Sequence, residues 1–260
     1  MNRRTTFKTF TLALCLLTVF VPARAQSKTQ TTAAAGGTPT EVVRAFYTAL
    51  KEARFREALL MTVLRPAVEA MSPEELNEFK ADFARLLPSV PADFRITGES
   101  LAGEEATVFV ATGTEKEPKV EPVSLIRERG AWLIGDRASA DEVRKRGKKY
   151  LFEERMAVHE QEAENMLNRI LAAQVAYSLQ HSGSYADLNG LVKAGYVPQD
   201  ILGSETTGYR FTVSVAADSK SFTARAEPER YGRTGRLSFY LDKSGIQKKD
   251  VGGKPLSPSR

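Results

Sequence analysis

Cysteine, histidine and tryptophan are nearly missing from this chain of 260 residues, which holds one Cys, two His and one Trp. A single Cys15 excludes an internal disulfide and any paired-cysteine metal site, so stability must come from ordinary apolar cores. Two histidines leave little for general acid–base or metal chemistry. His159-Glu160 starts like a zinc-protease helix, but Ala163 stands where the second ligand would be. His181 falls where a helix stops and meets the negative end of its dipole. There is no G-x-S-x-G nucleophile turn, and Gly252-Gly253-Lys254 lacks the preceding strand of a phosphate loop. The composition thus predicts no catalytic residues, no metal and no cofactor.

Long apolar runs are scarce as well. Phe10 to Val21 (FTLALCLLTVFV) is too short to span a bilayer stably. Arg3, Arg4 and Lys8 precede it and Ala23-Arg24-Ala25 follows, which is the layout of a secretory signal peptide over residues 1–25 cleaved before Gln26. Retention of the segment as an anchor, lipidation at Cys15 and a twin-arginine signal at Arg3-Arg4 with Phe7 and Lys8, offset by one position, are the rival readings of the leader. Charge of one sign is in short supply too. Lys and Arg number 37 against 32 Asp and Glu, and four of the basic residues (Arg3, Arg4, Lys8, Arg24) lie in the leader, so the remainder carries 33 − 32 = +1. A nearly neutral exported product does not point to nucleic acid, and no stable transmembrane segment is expected after cleavage.

What the chain does contain is periodic. Residues 26–37 (QSKTQTTAAAGG) form a small polar linker. Thr38-Pro39-Thr40-Glu41 and Ser72-Pro73-Glu74-Glu75 each place a hydroxyl, a proline and a glutamate as a helix-opening capping box requires. Val42, Val43, Phe46, Leu50 and Phe55 mark an apolar face after the first box; Leu76, Phe79, Phe83, Leu86 and Leu87 mark one after the second. Between them Phe55 to Leu64 predicts a short helix stopped by Pro66. The period then changes to two. Phe94 to Leu101 and Ala106 to Thr112 alternate around Gly103-Glu104, and Val120 to Glu128 with Ala131 to Asp136 around Arg129-Gly130. Helices followed by hairpins predict an α+β unit over residues 38–138.

Residues 139–155 are strongly charged and predict a helical connector, supported by Asp141–Lys145 and Glu142–Arg146 at four-residue spacing and weakened by Gly147. Within it Arg144, Lys145, Arg146, Lys148 and Lys149 are a candidate patch for anionic polymer or lipid, blunted by Glu153 and Glu154. From Met156 a long helix begins. Leu167, Ile170, Leu171, Gln174, Val175 and Tyr177 recur at three- and four-residue spacing and predict its buried face. Gly208 to Ala216, Ser221 to Glu227 and Arg236 to Asp242 alternate between turn signals, so three antiparallel strands against this helix predict a second α+β unit over residues 156–250. Residues 251–260 read as a disordered tail.

Two resemblances follow from these residues. Helical PTEVVRAFYTALKEARFREAL followed by strands ending in SLIRERGAWLIGD resembles the NTF2-like superfamily, cones of helix and curved sheet around a pocket. It implies a pocket that Tyr47, Phe55, Phe83 and Trp132 would line, with Asp93 or Asp136 as a polar group. AAQVAYSLQHSGSYADLNGLVKAGYVP with TGYRFTVSVAADSKSFTARAEPERYGRTGRLSFYLDKSGIQ resembles the globular part of bacterial type IV pilins and type II secretion pseudopilins. The pilin cleavage motif is not matched: Phe10-Thr11-Leu12 is present, with Thr9 and Leu14 in place of its Gly and Glu. The leader, the lack of catalytic groups and the two resemblances together imply an exported, periplasmic or extracellular, non-catalytic protein that meets an envelope protein partner, near pilus or secretion machinery. Small-molecule binding, or weak hydrolase or isomerase activity, in the NTF2-like pocket is the alternative.

Overall fold

A computed structural model describes residues 37–113, 117–203 and 207–257. The expected leader and most of the expected linker lie outside the described residues. The chain divides into two compact units, Met1–Tyr150 and Leu151–Arg260. Each is α+β, and each holds a four-stranded antiparallel sheet in sequential order.

The first unit opens with α1 (Pro39–Lys51), started by the capping box at Thr38 and Glu41. Val43, Phe46, Tyr47 and Ala49 turn inward from it. They pack on a sheet of β1 (Arg95–Ala102), β2 (Glu105–Gly113), β3 (Pro118–Glu128) and β4 (Ala131–Ile134), whose core face supplies Val108, Val110, Leu125 and Trp132.

The stretch after Phe55 departs from expectation. Helix α2 (Phe55–Leu60) stops early, and Pro66 sits in the first turn of α3 (Arg65–Glu69) instead of ending a helix. The cause is a strand-like tie: Ile134 N–H donates to Met61 O, and Val63 N–H donates to Ile134 O, both at 2.9 Å. Residues 61–63 thereby cover part of the otherwise open β4 edge. Pro66 costs nothing at the start of a helix, because its missing N–H would have had no partner there. Helices α4 (Pro73–Asn77), with the second capping box intact, and α5 (Lys80–Leu86) follow. The charged stretch forms α6 (Arg137–Arg146), capped by the Asp136 carboxylate and closed by Gly147 at φ 56°. Ala140 of α6 is buried with Val63, Ile126 and Leu133.

The second unit is organised by α7 (Lys149–Gln180), 32 residues long and hence about 48 Å. It packs on β5 (Tyr209–Val215), β6 (Phe222–Pro228), β7 (Leu237–Asp242) and β8 (Gly245–Asp250), with α8 (Leu188–Lys193) completing the core. The fourth strand was not expected. GIQKKD has no apolar alternation, because β8 is an edge strand whose lysines face solvent. The tail is also better held than expected up to residue 257: Leu256 is buried, and Gly252 N–H donates to the Asp250 carboxylate.

The buried face of α7 is narrower than predicted. Ala163, Leu167, Ile170 and Ala173 pack with the sheet, Gln174 is buried beside them and Tyr177 partly so, while Leu171 and Val175 point to solvent. One helix face laid on a sheet covers a stripe of roughly 100°; the six residues expected there span more than that.

Candidate functional site

The four aromatics proposed to line a pocket are divided between two places. Tyr47 and Trp132 are buried in the core beneath α1, with Tyr47 stacked on Phe94 at 4.8 Å. Phe55 stacks on Phe83 at 4.9 Å, and Phe83 in turn on Phe79. Burial, and next to it the charge of Glu121, pushes the Tyr47 phenol up to about 12, so it keeps its proton across the physiological range. Asp136 is occupied as the cap of α6. A surface hollow of about 320 Å³ is present instead on the outward side of α1, lined by Glu41, Arg44, Ala45, Thr48, Arg54 and Met61. Its Arg54 guanidinium is already held by Glu52 and Glu57.

The basic run is partly neutralised within its own unit. Arg144 pairs with Asp141 and with Glu128, Lys148 with Glu75 at 2.9 Å, and Arg146 lies over the Tyr150 ring at 4.7 Å. Lys145 and Lys149 are exposed.

Both histidines serve structure. His159 is buried, with Nδ1 3.1 Å from Thr234 O. Its neighbour Glu160 accepts from the backbone N–H groups of Arg236 and Leu237, at 2.8 and 3.3 Å. Together they fasten the β6–β7 loop to α7. His181 stacks on Tyr177 and is bonded through Nδ1 to the Tyr177 carbonyl. Among the described residues no group of three or more His, Cys, Asp or Glu could hold a metal ion, and no helix is long and apolar enough to cross a membrane.

On the solvent side of the second sheet, Glu227 is half-buried. Desolvation raises its carboxyl above the ordinary range, against the opposing pull of Arg225 and Arg210. A folded-state value above the unfolded one means the native state binds the proton more tightly. Ionised Glu227 therefore weakens the fold above its folded value, and that loss disappears as pH falls below the ordinary carboxyl range. Glu227→Gln is expected to leave the second unit equally or more stable than the natural chain at neutral pH. The difference should close on acidification, as urea unfolding at several pH values would read.

The feature that sequence periodicity did not single out is the solvent face of α7's last three turns. Leu171, Val175 and Leu179 are 37%, 51% and 82% exposed. Ala172 and Ala176 stand beside them, exposed and half-exposed. From Ile170 to Ser184 there is no Asp, Glu, Lys or Arg, although 27% of the chain is charged. That uncharged stretch is the sequence signal that marks the face. Solvated helix faces are normally polar, and a contiguous apolar row on one marks a contact site.

Comparisons with known proteins add one likeness. No protein-family model matches the chain, and none of the curated proteins does. Among solved structures, a Campylobacter jejuni chain described as an NTF2-like transpeptidase is similar to 38% of this chain and 97% of its own length. The identity is 15% and the TM-score 0.28.

Proposed function

We propose that this chain is an exported, non-catalytic protein of the bacterial envelope that works through protein–protein contacts. The observation that carries the reading is the uncharged face of Leu171, Val175 and Leu179, apolar surface of a kind that folding alone would have turned inward. The leader pattern before Gln26 supports export. A long helix laid across an antiparallel sheet suits the pilin-like reading of the second unit, and helices on one face of a sheet suit the NTF2-like reading of the first. Small-molecule binding by the first unit is the second reading. The hollow beside α1 favours it, and the prior engagement of Arg54 with Glu52 and Glu57 ranks it behind.

The test is a tagged chain carrying a photo-crosslinking amino acid at Leu179 or, as control, at exposed Lys243. Fractionation and N-terminal sequencing are expected to give an exported product beginning at Gln26, with a discrete adduct from position 179 and none from 243. Retention in the cytoplasm would overturn the export half of the proposal, and absence of any adduct at 179 the contact half.

A further inference from the structure

We infer that the partner of this face is a second copy of the chain, paired antiparallel along the last three turns of α7. The inference rests on the contact reading above and deepens it. Two rows run side by side on the outward surface, one large (Leu171, Val175, Leu179) and one small (Ala172, Ala176). Each row is spaced by four residues, and such rows are the ridges and grooves through which helices interlock. A two-fold axis at the level between Ala173 and Gln174 sets Leu171 of one copy against Ala176 of the other, and Val175 against Ala172. Leu179 then lies over the second copy's Asn168. Every large side chain meets a small or short one, and the patch is complementary to itself, as a two-fold interface requires.

Charge selects the antiparallel direction. The N-terminal half of α7 carries Glu153, Glu154, Glu160, Glu162 and Glu164 against Lys149 and Arg155, so a parallel pair in register would set a net negative surface against its like. In the antiparallel overlap the one charged side chain is exposed Arg169, level with Ser178 of the other copy, so no like charges are brought together. At the two ends of the overlap, Glu164 of one copy lies level with the Ser182–Ser184 turn of the other, where the Lys220 ammonium is held by Ser182 O at 2.8 Å. Glu164 is itself held by Lys248 at 2.7 Å, so charge at both rims is balanced and not repulsive, and the helix dipoles oppose one another. The shared face is about 18 Å long and small beside the roughly 800 Å² per partner of a standard interface. The pair is therefore weak and concentration-dependent.

The experiment uses the exported full chain in a Cys15→Ser background, with Ala172→Cys and Val175→Cys made separately. Under mild oxidation, a mixture of the two is expected to give the mixed disulfide in several-fold excess over either like pair. The axis brings position 172 to position 175 of the other copy, within the Cα separation of about 4.4–6.8 Å that a disulfide spans, and offsets like positions by three residues. Sedimentation equilibrium should show a dimer that Leu179→Glu weakens about tenfold or more, roughly 1.4 kcal/mol. Because position 179 is exposed, circular dichroism of that variant should match the natural chain. A mixed disulfide no more than about twofold above either like pair, the ratio random pairing gives, or a monomer up to roughly 1 mM, a concentration at which even an interface worth about 4 kcal/mol would be half-formed, would overturn the pairing. The crosslink at Leu179 separates the two readings. A product of twice the chain's mass supports both, one of any other mass leaves the contact reading standing and overturns self-pairing, and no product sinks both.

Discussion

Replacing Gln174 by leucine is expected to destabilise the second unit by about 3 kcal/mol, the cost of leaving two buried backbone groups without partners at about 1–3 kcal/mol each. Gln174 lies on the inward face of α7 with no solvent exposure. Its Nε2 donates to the Ala186 carbonyl at 2.6 Å, and its Oε1 accepts from the Ala186 N–H at 3.1 Å. One side-chain amide thereby satisfies both polar groups of a buried residue in the turn between α7 and α8, and fixes where the chain re-enters the core. Leucine has nearly the same volume, so the loss would come from hydrogen bonding and not from a cavity. Urea unfolding followed by a probe within the second unit would measure it.

A second substitution at the same position sharpens the test. Glutamate keeps an acceptor for the Ala186 N–H but, when ionised, faces the Ala186 carbonyl with no hydrogen to offer. Burial without a donor raises its folded-state pKa above the unfolded value. The sign follows from linkage: Gln174→Glu is destabilised above its folded pKa and regains stability as pH falls towards the ordinary carboxyl range, because the protonated acid can again donate to the carbonyl. Gln174→Leu should show no such recovery. Equal pH profiles for the two variants would mean that the paired hydrogen bonds are not what holds the turn.

Helix starts and hairpins were legible in the sequence because their causes are local. The capping boxes at Thr38–Glu41 and Ser72–Glu75 each lie within four residues and both form as written. The turns at Gly103 and Gly130 fall where φ is positive, at 64° and 81°. Features whose cause lies elsewhere in the chain were not legible. Pro66 reads as a stop, yet pairing of residues 61–63 with Ile134 has already ended the preceding helix. The five basic residues around Gly147 read as a patch, yet two of them meet Glu75 and Glu128, far away in sequence. On α7, spacing reveals apolar rows but not which of two adjacent rows meets the sheet. Polar Gln174 is buried and apolar Val175 is not, so the candidate surface showed itself only as a missing charge. That is a weaker signal than any motif, and it specifies a place without specifying a chemistry.

The other large effect is expected at Gly235. No left-handed backbone is involved there; the constraint is space. A Cβ at this position would stand 2.0 Å from the Tyr209 hydroxyl, 2.6 Å from its Cζ and 2.8 Å from its Cε2. Tyr209 has nowhere to move. It is fully buried, packed edge-on against Phe239 at 5.8 Å, and its hydroxyl donates to the Leu237 carbonyl at 2.9 Å. Gly235→Ala should therefore displace the ring or the β6–β7 loop that His159 and Glu160 hold down, and cost about 3 kcal/mol, at the upper end of ordinary overpacking. Gly232→Ala in the same loop is the control: it has φ 74° and open space for a Cβ, so only backbone strain of about 1 kcal/mol is expected. Tyr209→Phe alone should lose about 1 kcal/mol with its hydrogen bond. Combined with Gly235→Ala it should cost less than the two losses added, because removing the hydroxyl removes the nearest clash. Recovery would be partial, since Cζ and Cε2 remain within 3 Å of the new methyl. Strict additivity in that double variant, read from four unfolding curves, would show that the loop and not the ring gives way.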